Sequence, residues 1–118
     1  MTREEWTRDL ILTGYVDERG AYTISNIKSA PNGEFGMAML CVKGEELSIY
    51  DTDFSAKPGR LMYTIRLPEI TNVRLSTFAL HPTLKFTYQN FRWSFMAGFG
   101  KKLPISELFA SLAGAKTR

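Results

Sequence analysis

Residues 61–67 alternate without a break. Leu61, Tyr63, Ile65 and Leu67 fall on one side, and Met62, Thr64 and Arg66 on the other. The period of two returns twice. Leu84, Phe86 and Tyr88 alternate with Lys85, Thr87 and Gln89, and Phe91, Trp93 and Phe95 with Arg92, Ser94 and Met96. A helix cannot keep such a stripe on one face, whereas a half-buried strand does so through its pleat. Shorter runs fit the same pattern. Tyr22 and Ile24 open the first, residues 35–43 form the next, Leu47 and Ile49 share a face, and Val73 and Leu75 oppose Arg74. Turn residues separate them. Pro31-Asn32-Gly33 fixes one φ and tolerates positive φ, and Gly44-Glu45 and Gln89-Asn90 mark tight turns. Residues 51–59 read as a longer loop, and Pro68 ends a strand or marks an edge. About seven short strands over residues 21–97 predict a mainly β sandwich or barrel.

Two segments change period. Thr2-Arg3-Glu4-Glu5 has the form of a capping box, with Trp6, Leu10 and Ile11 following at helical spacing. Arg3, Glu4, Arg8 and Asp9 supply its polar side, so a helix is expected over residues 3–12, stopped near Gly14. Its apolar stripe must dock on the chain's own sheet or on a partner. Near the other end, Ile105, Leu108, Phe109 and Leu112 stand at i, i+3, i+4 and i+7. Pro104 suits a first helical turn and Gly114 a C-terminal cap, which predicts a second helix over residues 104–113 and a frayed tail after it. That helix is expected to plug the open end of the barrel. The aromatics from Phe86 to Phe95 supply much of the core, each contributing about 1.5–3 kcal/mol when fully buried.

At 118 residues the chain is sized for one domain, residues 1–118, with one core. The least charged stretch, residues 75–84, contains His81 and Pro82 and is about half the length of a membrane span. The first residues carry acids where a secretory leader is basic, and the single Cys41 cannot form an internal disulfide, so the expected compartment is the cytosol. The net charge of +3 is unevenly spread. Residues 1–58 hold six Lys/Arg against ten Asp/Glu, a net of −4, and residues 59–118 hold nine against two, a net of +7. In a barrel the two halves interleave, so solvated strand faces account for most of this asymmetry.

Candidate chemistry is sparse. Cys41 lies in an apolar run with no histidine near it in sequence, which predicts a buried, inert thiol. His81, the only histidine, precedes Pro82 in a connection and has no nucleophile or orienting acid beside it. One His, one Cys and scattered carboxylates do not match zinc spacing, and Asp51-Thr52-Asp53 reads as turn chemistry before it reads as a hard-cation site. Gly98-Phe99-Gly100-Lys101-Lys102 precedes the second helix, but Phe95 and Lys102 occupy positions a phosphate loop gives to Gly and Ser/Thr. The segment reads as a connector with two solvated lysines. In the strands, Arg66, Arg74, Lys85 and Arg92 alternate with apolar neighbours, which predicts core aromatics under a basic outer face. That arrangement disfavours base stacking on nucleic acid while permitting phosphate contact. Any of Tyr15, Tyr22, Tyr50 or Phe54 left exposed beside Met62 or Met96 would form an interaction patch.

Residues 39–51, 63–73, 84–88 and 93–95 together resemble the pleckstrin-homology-like fold, in particular small bacterial PH-like and GRAM-like domains. The middle segment is similar to that family's I-P-L-x-D/E-I-x-x-V strand pair, here with Arg66 before Leu67-Pro68, then Glu69, Ile70 and Val73. The resemblance covers residues 20–113 and leaves the N-terminal helix as an addition. It implies a partly open barrel of about seven antiparallel strands with a C-terminal capping helix. It also implies a module that is not an enzyme and needs no cofactor or metal. Relatives that bind phosphoinositides carry a basic motif between their first two strands; here residues 29–34 lack it, with Lys28 alone beside them. The expected role is therefore a cytosolic protein-interaction or scaffold module, self-association included. The second expectation is peripheral binding of an anionic ligand or acidic lipid surface through Lys57, Arg60, Lys101 and Lys102.

Overall fold

Each alternating run of the sequence is a strand. The structure, a computed structural model, describes residues 2–53, 57–76, 81–97, 108–110 and 112. Its elements are helix α1 (Arg3–Leu12), strands β1 (Tyr22–Ser29), β2 (Gly36–Lys43), β3 (Glu46–Asp51) and β4 (Leu61–Arg66), a 3-10 turn (Leu67–Glu69), then β5 (Thr71–Ser76), β6 (Thr83–Tyr88) and β7 (Phe91–Ala97). Residues 108–110 and 112 are helical. The strands form one antiparallel sheet in the order β4-β3-β2-β1-β7-β6-β5. Two up-and-down runs, β1 to β4 and β5 to β7, are joined where β1 pairs with β7, with Ile27 opposite Phe95. The tight turns follow their residues. Gly44 has φ +59° in the β2–β3 turn, and Gln89 and Asn90 have φ +50° and +63° between β6 and β7. Two successive left-handed residues match the right-handed twist of a two-residue hairpin.

The sheet is strongly curved. Neighbouring strands lie about 4.8 Å apart, so β4 and β7, four steps apart in the sheet, would be separated by roughly 19 Å if it were flat. Instead Tyr63 of β4 meets Trp93 of β7 edge-to-face at 4.8 Å between ring centroids. The inner face thus gathers one core from all seven strands, including Ile27, Leu40, Leu47, Ile65, Phe86 and Phe95, with Val73 and Leu75 packed against it. Leu108 and Leu112 are buried in the same core and Phe109 packs on it, as expected of a plugging helix. Pro104, Ile105 and Gly114 lie outside the described residues.

The sheet does not close into a full barrel, in keeping with the partly open one expected. Among the described residues, β4 and β5 are the two ends of the sheet and have no strand on their outer edges. The cause is local. Leu67-Pro68-Glu69 leaves β4 as a 3-10 turn, with Pro68 near its start and Ile70 N donating to Leu67 O at 3.2 Å. That turn, rather than a hairpin, delivers the chain to β5, which pairs with β6. The mainly β architecture stands, with helices at both ends of the sheet's sequence.

Strand β2 explains its own unbroken apolar run. Ala38, Leu40 and Val42 face the main core, while Met39 and Cys41 are fully buried on the opposite face. There Leu10 of α1 and Val16 cover them, joined by Ile11, Tyr15, Tyr22, Ile24 and Tyr50. The helix begins as its sequence dictates. Glu5 N donates to Thr2 Oγ1 at 3.2 Å and Thr2 N to Glu5 Oε1 at 3.4 Å, completing the capping box. Close approach at its foot needs a residue without Cβ: Gly20 has φ +64°, and a Cβ there would lie 2.7 Å from Thr7 Cγ2. Past α1, the Asp17 carboxylate accepts from Gly44 N at 2.8 Å and pairs with Arg19 at 2.7 Å, tying the connection to the β2–β3 turn. The Arg19 guanidinium, with the Gly44 and Arg19 amides, holds the Asp17 carboxyl well below the usual carboxylate range.

Packing outweighs capping in holding α1. An N-cap contributes about 1 kcal/mol, and fully burying one leucine about 1.5–3 kcal/mol. Leu10→Ala is accordingly expected to cost about 2–5 kcal/mol in urea unfolding. It should also speed the reaction of Cys41 with a thiol reagent under native conditions. An unchanged thiol reaction rate would mean that α1 does not shield β2.

Candidate functional site

Burial disposes of the thiol first. Cys41 is fully buried beneath α1, and desolvation pushes its pKa up to about 12. It is a packing residue at neutral pH, since the thiolate is the reactive form. His81 is exposed before β6. Among the described residues, no group of three or more His, Cys, Asp or Glu is placed to hold a metal ion. The Asp51-Thr52-Asp53 segment closes the β3–β4 connection. Asp51 Oδ1 accepts from Arg60 N, Asp51 O accepts from Gly59 N at 2.8 Å, and Thr52 Oγ1 donates to Lys57 O at 2.7 Å. Gly59 is obligatory there, because a Cβ would lie 2.2 Å from Asp51 Oδ1.

Lys57 and Arg60 are both exposed on that connection. Lys101 and Lys102 lie outside the described residues, as do Phe54 and the Gly98–Gly100 stretch. The connection sits at the same end of the sheet as that between β1 and β2. Thr52 N donates to Met37 O at 3.3 Å, Asn32 Nδ2 donates to the Tyr63 hydroxyl at 3.1 Å, and that hydroxyl donates to the Glu34 carboxylate. The bond from Tyr63 lowers the pKa of Glu34, which therefore stays ionised. Phe35, next in the chain, is 90% exposed, and Leu61 at the start of β4 is 50% exposed. This end therefore carries two cations and two apolar side chains, but also Asp51, Asp53 and Glu34. Tyr15, Tyr22 and Tyr50 are elsewhere, packed beneath or beside α1.

A second cationic surface lies on strands that carry no acid. Arg74, Lys85 and Arg92 are exposed, while their neighbours Val73, Leu75, Leu84, Phe86 and Trp93 turn inward. The register sets Arg74 directly opposite Lys85, and Arg92, opposite Thr87, diagonal to Lys85. Arg66, the fourth basic residue of the alternation, is different: it pairs with Glu69 at 2.9 Å. The sequence holds no Asp or Glu from Ile70 to Ser106. The alternation had placed these side chains outward; it could not pair them, because cross-strand register is a property of the sheet.

The two edges of the sheet also differ. In β5, Asn72 has φ +55° and the register shifts between Thr71 and Arg74, which distorts that edge. In β4 the register with β3 shifts next to Leu61, between Ile49 and Tyr50, and is regular from Ile49–Tyr63 to Glu46–Arg66. Leu67 N donates to Glu45 O at 2.8 Å, which fixes the phase of the ladder. Antiparallel pairs alternate, so Ile65 and Tyr63 bond to β3, and the amides of Thr64 and Arg66 point to the outer edge.

Two outcomes follow. Like charges directly opposite on a sheet destabilise it, whereas opposite charges contribute about 0.2–1 kcal/mol; Lys85→Glu is expected to raise the urea midpoint, and a lower midpoint would contradict the Arg74–Lys85 pairing. Cys41 gives a pH dependence. Its proton is held in the folded state until about 12 but lost from the unfolded chain near 9.0, so its contribution is complete below pH 9.0 and fades above it. Urea midpoints of the wild type should therefore fall faster above that pH than those of Cys41→Ala. No protein-family model matches the chain, and no curated protein matches it.

Proposed function

We propose that this chain is a non-catalytic interaction module of pleckstrin-homology-like build, working in a bacterial cytosol and binding protein through the outer edge of β4. The observation that carries the reading is the contrast between the two edges. An unpaired strand edge is a template for another strand. β5 is blunted by its left-handed Asn72, whereas β4, past a register shift at its Leu61 end, pairs regularly from Tyr63 to Arg66 and has no strand on its outer edge among the described residues. An extended segment of a partner, or β4 of a second copy, would add to it by main-chain hydrogen bonds. The order of strands and the buried Leu108 and Leu112 support the family resemblance. No helix among the described residues is long and apolar enough to cross a membrane.

Thr64→Pro is the test. Its amide faces the outer edge, where proline is tolerated, so the variant keeps the β3–β4 ladder while removing a donor needed by an added strand. In light scattering over a concentration series the wild type is expected to gain mass and the variant to remain monomeric. A strict monomer at high concentration removes self-association, and a pull-down from the native cell that catches the same proteins with both forms removes the edge.

The end of the sheet bearing Phe35, Leu61, Lys57 and Arg60 favours a second reading, docking on an acidic lipid surface. An exposed aromatic beside cations suits an interface between water and anionic headgroups. Sedimentation with liposomes, with and without anionic lipid and at low and high salt, is expected to show salt-sensitive binding that Phe35→Ala weakens. Binding indifferent to salt and lipid charge would reject it.

A further inference from the structure

We propose that the outer face of β5, β6 and β7 is a contact surface for the phosphate backbone of double-helical nucleic acid, independent of the β4 edge. Three observations carry it. Arg74, Lys85 and Arg92 form one cluster, since the first two are direct cross-strand partners and the third is diagonal to Lys85. Directly opposed cross-strand side chains have Cβ atoms about 4.5–5.5 Å apart, and diagonal ones are separated by about 7–8 Å. Strands β5, β6 and β7 themselves carry no acid to relieve them. The sequence from Ile70 to Ser106 holds none, and none of the three cations joins an ion pair among the described residues.

The groups between the cations are hydroxyls. Thr87 lies opposite Arg92, Ser94 opposite Lys85, and Thr83 opposite Ser76. Arg, Lys, Ser and Thr are the side chains that contact phosphate oxygens without reading sequence. What the face lacks selects among polyanions. Phe86, Trp93 and Phe95 are buried on the inner side, so β5, β6 and β7 present none of them as a stacking platform for single strands. Among the described residues the exposed large apolar side chains, Leu12, Phe35 and Leu61, are on other elements, so the described part of this face offers neither a wedge for a bilayer nor an apolar anchor for a protein. Duplex backbone, bound through charge and hydroxyl contact alone, is the polyanion that remains.

Each phosphate neutralised on a duplex contributes about −0.9 to the slope of log K against log salt, so three contacts give about −2.7. The experiment is fluorescence anisotropy of a short labelled DNA duplex of mixed sequence, titrated with the full chain over a salt series. Arg74→Gln and Lys85→Gln should each weaken binding and reduce the slope by about 0.9. Arg66→Gln, outside the face, should leave it unchanged. Thermal melts confirm that each variant is folded, and Thr64→Pro should still bind, which separates this surface from the edge of β4. The proposal is overturned by no binding at the lowest salt, by binding indifferent to Arg74→Gln and Lys85→Gln, or by acidic vesicles binding through these residues while the duplex does not.

Discussion

Burial of β2 on both faces is the constraint from which the architecture follows. A strand covered on one side alternates; one covered on both must be apolar throughout. Ala38 through Val42 meet that demand, and two separate clusters use them. On one face Leu40 and Val42 hold the curved sheet together. On the other Met39 and Cys41 hold α1. The added helix is thus part of the fold's support, and its removal would leave an apolar strand face in water.

Curvature is the second consequence of packing. Trp93 touches Tyr63, Phe86, Phe91 and Phe95, with ring centroids between 4.8 and 6.1 Å. It draws β4 and β7 together across the inside of the sheet. Among the described residues the arrangement leaves Thr23 Oγ1, Ser25 Oγ and Trp93 Nε1 buried without a hydrogen-bond partner. Thr23 and Ser25 keep the inner face of β1 shallow where Ala38 and Ala97 lie opposite Ser25. Small side chains at that crossing let the larger Leu40 and Phe95 occupy the centre of the core.

Much of this was legible from local pattern. The period of two marked β4, β6 and β7, the capping box placed α1, and Gly33, Gly44 and Gln89-Asn90 marked real turns. Leu108 and Leu112 stood where a plugging helix needs them. What could not be read was non-local. Whether β4 meets β5 depends on the path taken by Leu67-Pro68-Glu69, and that path keeps the sheet open. Whether Tyr15 and Tyr50 are exposed depends on how α1 crosses β2. They meet edge-to-face at 5.1 Å beneath it. The anion-binding residues expected from the sequence were Lys57, Arg60, Lys101 and Lys102, from connections between elements. The alternation put Arg74, Lys85 and Arg92 on a basic outer face, but their proximity arises only when β5, β6 and β7 come into register.

The seam between β1 and β7 joins strands from opposite ends of the sequence. On a ribosome, β1 to β4 emerge first, and Ile27 must wait for Phe95 before the half-made sheet acquires its missing neighbour. Long-range pairing of this kind slows folding, because a large loop must close before its contacts are rewarded. Until then the chain carries a bare internal edge on β1 as well as the one it keeps on β4, and nascent molecules crowded on one message would be most liable to stick to each other in that interval.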